Sequence, residues 1–231
     1  MIKGCIFDLD GVIVDTAHYH FLAWKRLADE LGYDLTAKEN ERLKGVSRMQ
    51  SLNIVLELAG VTLNEAQKEI LANKKNSWFV EYIERMTPDE VFPGVVDLIR
   101  ELKSAGIRVG LASSSKNART VIRLLGIGDE FEAIVDGSMI THTKPDPEIF
   151  LKTAQQLELD PADCVVVEDA EAGVEAALSA GMKCIGVGSR ALLGKADRVY
   201  SKTTEITLST FQDLRRINGY GQIGENDIVN F

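Results

Sequence analysis

Short apolar runs alternate with segments of helical spacing along most of the chain. Residues 2–9, 108–112, 133–136, 164–167 and 183–187 are compact runs rich in Ile, Val and Leu. Their length and incomplete alternation predict strands buried on both faces, as in a parallel sheet. Between them, apolar residues recur every three or four positions, the repeat of an amphipathic helix. Val95, Leu98, Ile99 and Leu102 mark one such segment, and Val121, Ile122, Leu124 and Leu125 the next. Ile149, Phe150, Ala154 and Leu157 mark a third, and Val174, Ala177 and Leu178 a fourth. Gly106, Gly126 and Gly181 follow three of these helices, where a C-terminal glycine is favoured. Strand–helix alternation with short links predicts a doubly wound, Rossmann-like α/β core on a parallel sheet.

The alternation is interrupted once. Residues 16–87 carry helical patterns alone, over 21–31, 47–58 and 64–85, which predicts an inserted helical cap. Pro88 and Pro93-Gly94 punctuate the return to the core. The expected division is a catalytic core of residues 1–15 and 88–218, a cap of residues 16–87, and a polar tail of residues 219–231. Gly219, Gly221 and Gly224 in that tail have the spacing of a dinucleotide-binding turn. No strand–helix unit surrounds them, and they are set aside.

The chain has 231 residues with a formal net charge of −9, which argues against nucleic acid and anionic membrane as general partners. No stretch approaches the roughly 20 apolar residues of a membrane span, and no signal segment precedes Asp8. A cytoplasmic monomer acting on a small molecule is the expectation. Cys5, Cys164 and Cys184 each sit in a β-prone run and are read as small buried hydrophobes.

Ligands of an open α/β sheet bind beyond the carboxyl ends of its strands. Asp8, Asp10 and Gly11 follow the first predicted strand, and Ser113, Ser114 and Ser115 the second. Lys144-Pro145 lies beyond the third, and Glu168 and Asp169 follow the fourth. Singly, each has a plainer reading: aspartates form turns, serines cap helices, and an acid pair complements a helix N-terminus. Their order at successive strand ends is what points to a site. Carboxylates gathered in one place repel unless a cation joins them, and hard oxygen donors favour Mg²⁺. A carboxylate can also attack phosphorus to give an aspartyl phosphate. Charge on the phosphoryl oxygens then needs fixed donors, which Ser113, backbone N–H groups, Lys144 and the metal could supply.

The segment Phe7-Asp8-Leu9-Asp10-Gly11-Val12 resembles the first signature of the haloacid-dehalogenase superfamily. Ser113, Lys144-Pro145 and Glu168-Asp169 resemble its other three, in the same order, and the resemblance runs to about residue 199. It implies Asp8 as nucleophile and Asp10 as general acid and base. It implies metal ligation by the Asp8, Glu168 and Asp169 carboxylates and the Asp10 backbone carbonyl, and phosphate binding by Ser113, Ser114 and Lys144.

Within the cap, Asp15 or Thr16 can cap the first helix, and Thr16 and His20 share one helical face. Ser47 and Gln50 have the spacing of a capping box, which puts Arg48 at a helix N-terminus, where an anion is favoured. Lys44 adds a second cation, and Lys74, Lys75 and Asn76 extend the set. The Thr16/His20 pair, the segment Leu43-Lys44-Gly45-Val46-Ser47-Arg48 and the Lys74-Lys75-Asn76 triplet resemble the β-phosphoglucomutase branch of the superfamily. This implies that Arg48 holds the phosphate distal to the reaction. It also implies that Thr16, His20, Lys44, Gly45, Val46, Ser47, Lys75 and Asn76 serve the sugar or the closing cap. Met49-Gln50 departs from the two acidic residues expected there. The implied activity is isomerisation of β-glucose 1-phosphate to glucose 6-phosphate through a 1,6-bisphosphate, with Mg²⁺-dependent hydrolysis of a small sugar phosphate as the alternative. His18 and His142 are read as peripheral, and Trp24 and Trp78 as core packing.

Overall fold

The computed structural model describes residues 2–216; the tail expected at 219–231, with its three glycines, lies outside them. Six parallel strands form one sheet in the order β3-β2-β1-β4-β5-β6. They are β1 (Gly4–Phe7), β2 (Arg108–Ser113), β3 (Ala133–Asp136), β4 (Cys164–Glu168), β5 (Lys183–Val187) and β6 (Arg198–Tyr200). The first five coincide with the apolar runs. The sixth had no such signal, because it is a three-residue edge strand whose only aliphatic residue is Val199.

Successive side chains of the strands pass to opposite faces, and each face has its own helices. Phe7, Val109, Leu111, Val165, Val167 and Ile185 pack on one side, with α5 (Val95–Ser104) and α6 (Ala118–Leu125). Ile6, Ala112, Val135, Val166 and Cys184 pack on the other, with α7 (Glu148–Gln156) and α8 (Glu171–Ser179). All three cysteines are buried and free. Among the described residues no helix is long and apolar enough to cross a membrane.

Between β1 and α5 lie only helices. These are α1 (Thr16–Glu30), the single-turn α2 (Ala37–Asn40), α3 (Arg48–Ala59) and α4 (Glu65–Ile83). The single-turn helix escaped the periodicity reading because four residues are too few to show a repeat. Asp15, not Thr16, caps α1, accepting from His18 N at 3.1 Å. Ser47 and Gln50 close the expected box on α3, exchanging bonds of 3.1 and 3.2 Å. Trp24 and Leu27 of α1 and Phe79 of α4 are buried together, and each such side chain is worth about 1.5–3 kcal/mol. The two links to the core run side by side: Val14 bridges Val91, and Phe92 N donates to Ile13 O at 2.8 Å.

Candidate active site

The register of the sheet assembles the site. Phe7 is level with Leu111 on one side and Val167 on the other. Asp8, Ser113 and Glu168 therefore leave the sheet beside one another, at the point where the strand order reverses about β1. Lys144, preceding a cis proline, enters from the loop after β3. Its ammonium donates to Asp8 Oδ1 at 2.6 Å and to Glu168 Oε1 at 2.9 Å, with no solvent access.

The carboxylates of Asp8, Glu168 and Asp169 offer oxygens within 4.8 Å of one another. At that range two unit charges repel by roughly 3–4 kcal/mol at an effective dielectric constant near 20. Three carboxylates against the ammonium of Lys144, with that of Lys44 at 3.9 Å from Asp169, still leave an excess of negative charge. Burial, then the Asp8 charge, push Glu168 up to about 8. Burial, with Glu168 and Asp8, raises Asp169 well above the usual carboxylate range. Burial alone would lower Lys144, but the Asp8 and Glu168 carboxylates outweigh it and raise the lysine. A strained set of hard oxygen donors with excess negative charge fits a divalent cation.

Asp10 lies beside this cluster. Its backbone N–H donates to Asp8 Oδ2 at 3.0 Å, while its carboxylate accepts from the hydroxyls of Thr16 and Ser113. Burial, then the charge of Asp8, push it up to about 7. A carboxyl poised there can both give and take a proton at neutral pH. Thr16 belongs to α1, so the helical insert helps to aim this group.

Other insert residues close over the same space. Asp8, Asp10, His20, Lys44, Gly45, Val46, Ser114 and Asp169 line one cavity. Lys44 lies 3.1 Å from Glu41 and 3.9 Å from Asp169. Ser114 donates to Gly45 O at 2.9 Å, so its hydroxyl is already engaged. Ser47 likewise spends its hydroxyl on capping α3. Asn76 accepts from Asn117 at 2.8 Å, another bond from insert to core. Gln50, at the departure from the expected acidic pair, accepts from Thr143 at 2.5 Å, next to Lys144. The peripheral readings of His18 and His142 match their places: His142 is an exposed partner of Glu148 at 3.3 Å.

The insert also carries unpaired basic groups. Lys75 is buried, shares a hydrogen bond with His20 Nδ1 at 2.7 Å, and has its Nζ 4.5 Å from the Trp24 ring. Burial, then Arg48, hold Lys75 well below its ordinary value, and burial, then Lys75 and Arg48, do the same to His20. Among the described residues neither Lys75 nor Arg48 has an ion pair, and burial lowers Arg48 as well. Lys74, by contrast, turns outward to Glu30 at 2.5 Å.

Trp24, read as core packing with substrate shielding as the alternative, lines the cavity as well as the core. Other contributors were not anticipated. Asn40 and Leu43 also line it, from α2 and the turn after it. Asn117 and Thr143 lie in loops where one polar residue looks like another.

Residues 2–181 match the family model described as haloacid dehalogenase-like hydrolase. The chain is 45% identical over 214 residues to a β-phosphoglucomutase of Bacillus subtilis, covering 92% of this chain and 95% of that one. It is 34% identical over 188 residues to a phosphorylated carbohydrates phosphatase of Thermotoga maritima, covering 80% and 84%. The crystal structure of a β-phosphoglucomutase from Clostridium difficile superimposes with a TM-score of 0.90 at 42% identity, over 94% of this chain and 99% of that one. Sheet order, acid cluster and similarity agree, and the chain belongs to the haloacid dehalogenase-like hydrolase family.

Proposed function

We propose that this chain isomerises β-glucose 1-phosphate to glucose 6-phosphate through glucose 1,6-bisphosphate, with Asp8 as the phosphoryl carrier. The observation that carries this reading is a pair of basic groups without an ion pair among the described residues, Arg48 and Lys75, grouped with His20, which lines the cavity that reaches Asp8. Hydrolysis of one phosphate needs only Asp8, Asp10, Ser113, Lys144 and the metal held by the acid cluster. A second phosphate, held away from the reacting one, gives the extra cations a partner. The likeness to the B. subtilis and C. difficile enzymes supports the same reading.

The phosphoryl group on Asp8 passes to the sugar 6-hydroxyl: the P–O bond to Asp8 breaks, a P–O6 bond forms, and Asp10 takes the hydroxyl proton. The bisphosphate turns over within the site. The 1-phosphoryl group then returns to Asp8, and Asp10 gives its proton to the leaving O1. Lys144 stays beside Asp8 throughout and neutralises phosphoryl oxygens. Residues 16–87 act as a cap, and their bonds to Asp10, Ser114, Asn117 and Thr143 exclude the water that would otherwise compete. Asp8, Glu168, Asp169 and the Asp10 backbone carbonyl would hold Mg²⁺, which when bound offsets the charge of the carboxylates and the phosphoryl oxygens.

The thermal stabilisation conferred by Mg²⁺ should grow from about pH 5 to about pH 8. Without metal, Asp10 and Glu168 release their protons only near 7 and 8, whereas in the unfolded chain they are ionised above about 4.5. The folded state therefore binds the extra protons, and its stability falls as pH rises through this window. Bound Mg²⁺ would take the place of the Glu168 proton and, close to Asp10, lower the cost of ionising it, so that loss shrinks. The opposite slopes of Lys75 and His20 are common to both samples and cancel. Unfolding temperatures with and without chelator check this; a pH-independent difference would remove the strained acid cluster from the account.

Arg48→Ala separates isomerisation from hydrolysis. Charged hydrogen bonds are worth about 1.5–3 kcal/mol each, so losing a bidentate contact should slow conversion of β-glucose 1-phosphate on the order of 10²-fold. Hydrolysis of acetyl phosphate, which has one phosphate, should change little. Glucose 6-phosphate and free phosphate are measured together. Equal loss of both activities would make Arg48 structural, and release of free phosphate as the main product from the unaltered protein would favour a phosphatase.

A further inference from the structure

Glu168 is fully buried, yet it has to present an oxygen to the cluster it shares with Asp8 and Asp169. Its carboxylate is held from one side by Lys144 at 2.9 Å and by Asp169 N at 3.1 Å. Gly173, in the first turn of α8, lies against the same carboxylate. A Cβ at Gly173 would lie 1.3 Å from Glu168 Oε1, 2.0 Å from its Cδ and 2.4 Å from its Cγ. No shift of a few tenths of an ångström relieves such overlap. The distal half of the glutamate occupies the volume that a side chain at 173 would fill.

We infer that Gly173 is a positioning residue for Glu168, its missing side chain forming the slot that seats this carboxylate beside Asp8. The backbone at Gly173 is helical, where alanine is the better residue, so glycine here is not explained by conformation. Gly11 makes a parallel notch for Asp169, with a Cβ position 2.2 Å from Oδ2. Its φ of +78° would strain any substitution there, so Gly173 is the cleaner case. A methyl group at 173 displaces the carboxylate from the position in which it meets Lys144 and Asp169 N, and the three-acid geometry is lost.

This inference rests on Glu168 being a metal ligand, and the test keeps the two apart. Mg²⁺ is titrated calorimetrically into the full chain without substrate, and unfolding temperatures are measured in chelator. Gly173→Ala should raise the Mg²⁺ dissociation constant by about 10–100-fold, the usual effect of disturbing a residue behind a metal ligand. It should also lower the unfolding temperature. In the Glu168→Ala background, where the slot is empty, the same substitution should raise the unfolding temperature, because only the helix preference of alanine remains. If Gly173→Ala alone fails to fold, a folded double variant more stable than Glu168→Ala sustains the inference, and an unfolded one overturns it. An unchanged Mg²⁺ constant, or a thermal penalty that persists without Glu168, also overturns it. Absence of Mg²⁺ binding by the unaltered protein would remove the metal reading, and the reversal of the thermal effect alone would then decide the slot.

Discussion

Asp8→Asn should reduce turnover on the order of 10⁶-fold, the scale seen when a covalent enzyme loses its nucleophile, while the protein stays folded. An amide oxygen is a poor nucleophile, and the substitution also removes one of the three charged oxygens offered to a cation. The fold has reason to tolerate it. Asn still accepts from Asp10 N; its amide nitrogen cannot accept from Lys144, which then keeps Glu168 alone at 2.9 Å. The charge of Asp8 contributes to the raised values of Asp10, Glu168 and Asp169, so its removal relieves all three. In chelator at pH 8 the variant should unfold at the same temperature or higher. Glucose 6-phosphate formation and trapping of the acyl phosphate with hydroxylamine are the measurements. Turnover within about tenfold of the unaltered protein would exclude covalent catalysis at this residue.

Asp10→Ala should slow the isomerisation by roughly 10²–10⁴, as for loss of a general acid and base. Its carboxylate is aimed by two hydroxyls, Thr16 from the helical insert and Ser113 from β2. Transfer to and from a sugar hydroxyl needs a proton moved at each step. Phosphorylation of Asp8 by acetyl phosphate does not, since acetate leaves without help. The variant should therefore keep its phosphorylation by acetyl phosphate and lose transfer to the sugar. A loss of only a few-fold, with both steps alike, would mean that another group carries the proton.

Much of this was legible before any coordinates. Buried parallel strands are continuous apolar runs, so β1 to β5 declared themselves. The acids and the lysine stood at strand ends, where order in the chain converts directly into proximity. The single-turn α2 and the edge strand β6 were too short to carry a period. Lys75 was noted as a cation, but nothing local distinguished its buried ammonium from the exposed one of Lys74; only the packing of α1 against α4 does so. Ser114 lines the cavity and Ser47 does not, and the hydroxyls of both are spent on other partners, a matter of rotamer rather than pattern. Gly173 left no chemical trace, since its contribution is the volume it leaves free.

The place of β1 at the centre of the sheet has a consequence for how the protein is made. The strand that leads to Asp8 is synthesised before its hydrogen-bonding partners β2 and β4, which begin at residues 108 and 164. A ribosome-bound chain that ends at residue 150 has Asp8 and Lys144, yet lacks the strand that closes one side of β1 and both remaining acids. Contacts so distant along the chain make folding slow and leave an unpaired, hydrophobic strand edge in the nascent chain. The site is thus assembled only after most of the polypeptide has emerged; α5 and α6 can cover one face of the early sheet, but the β1 edge stays open until β4 arrives or a chaperone binds it.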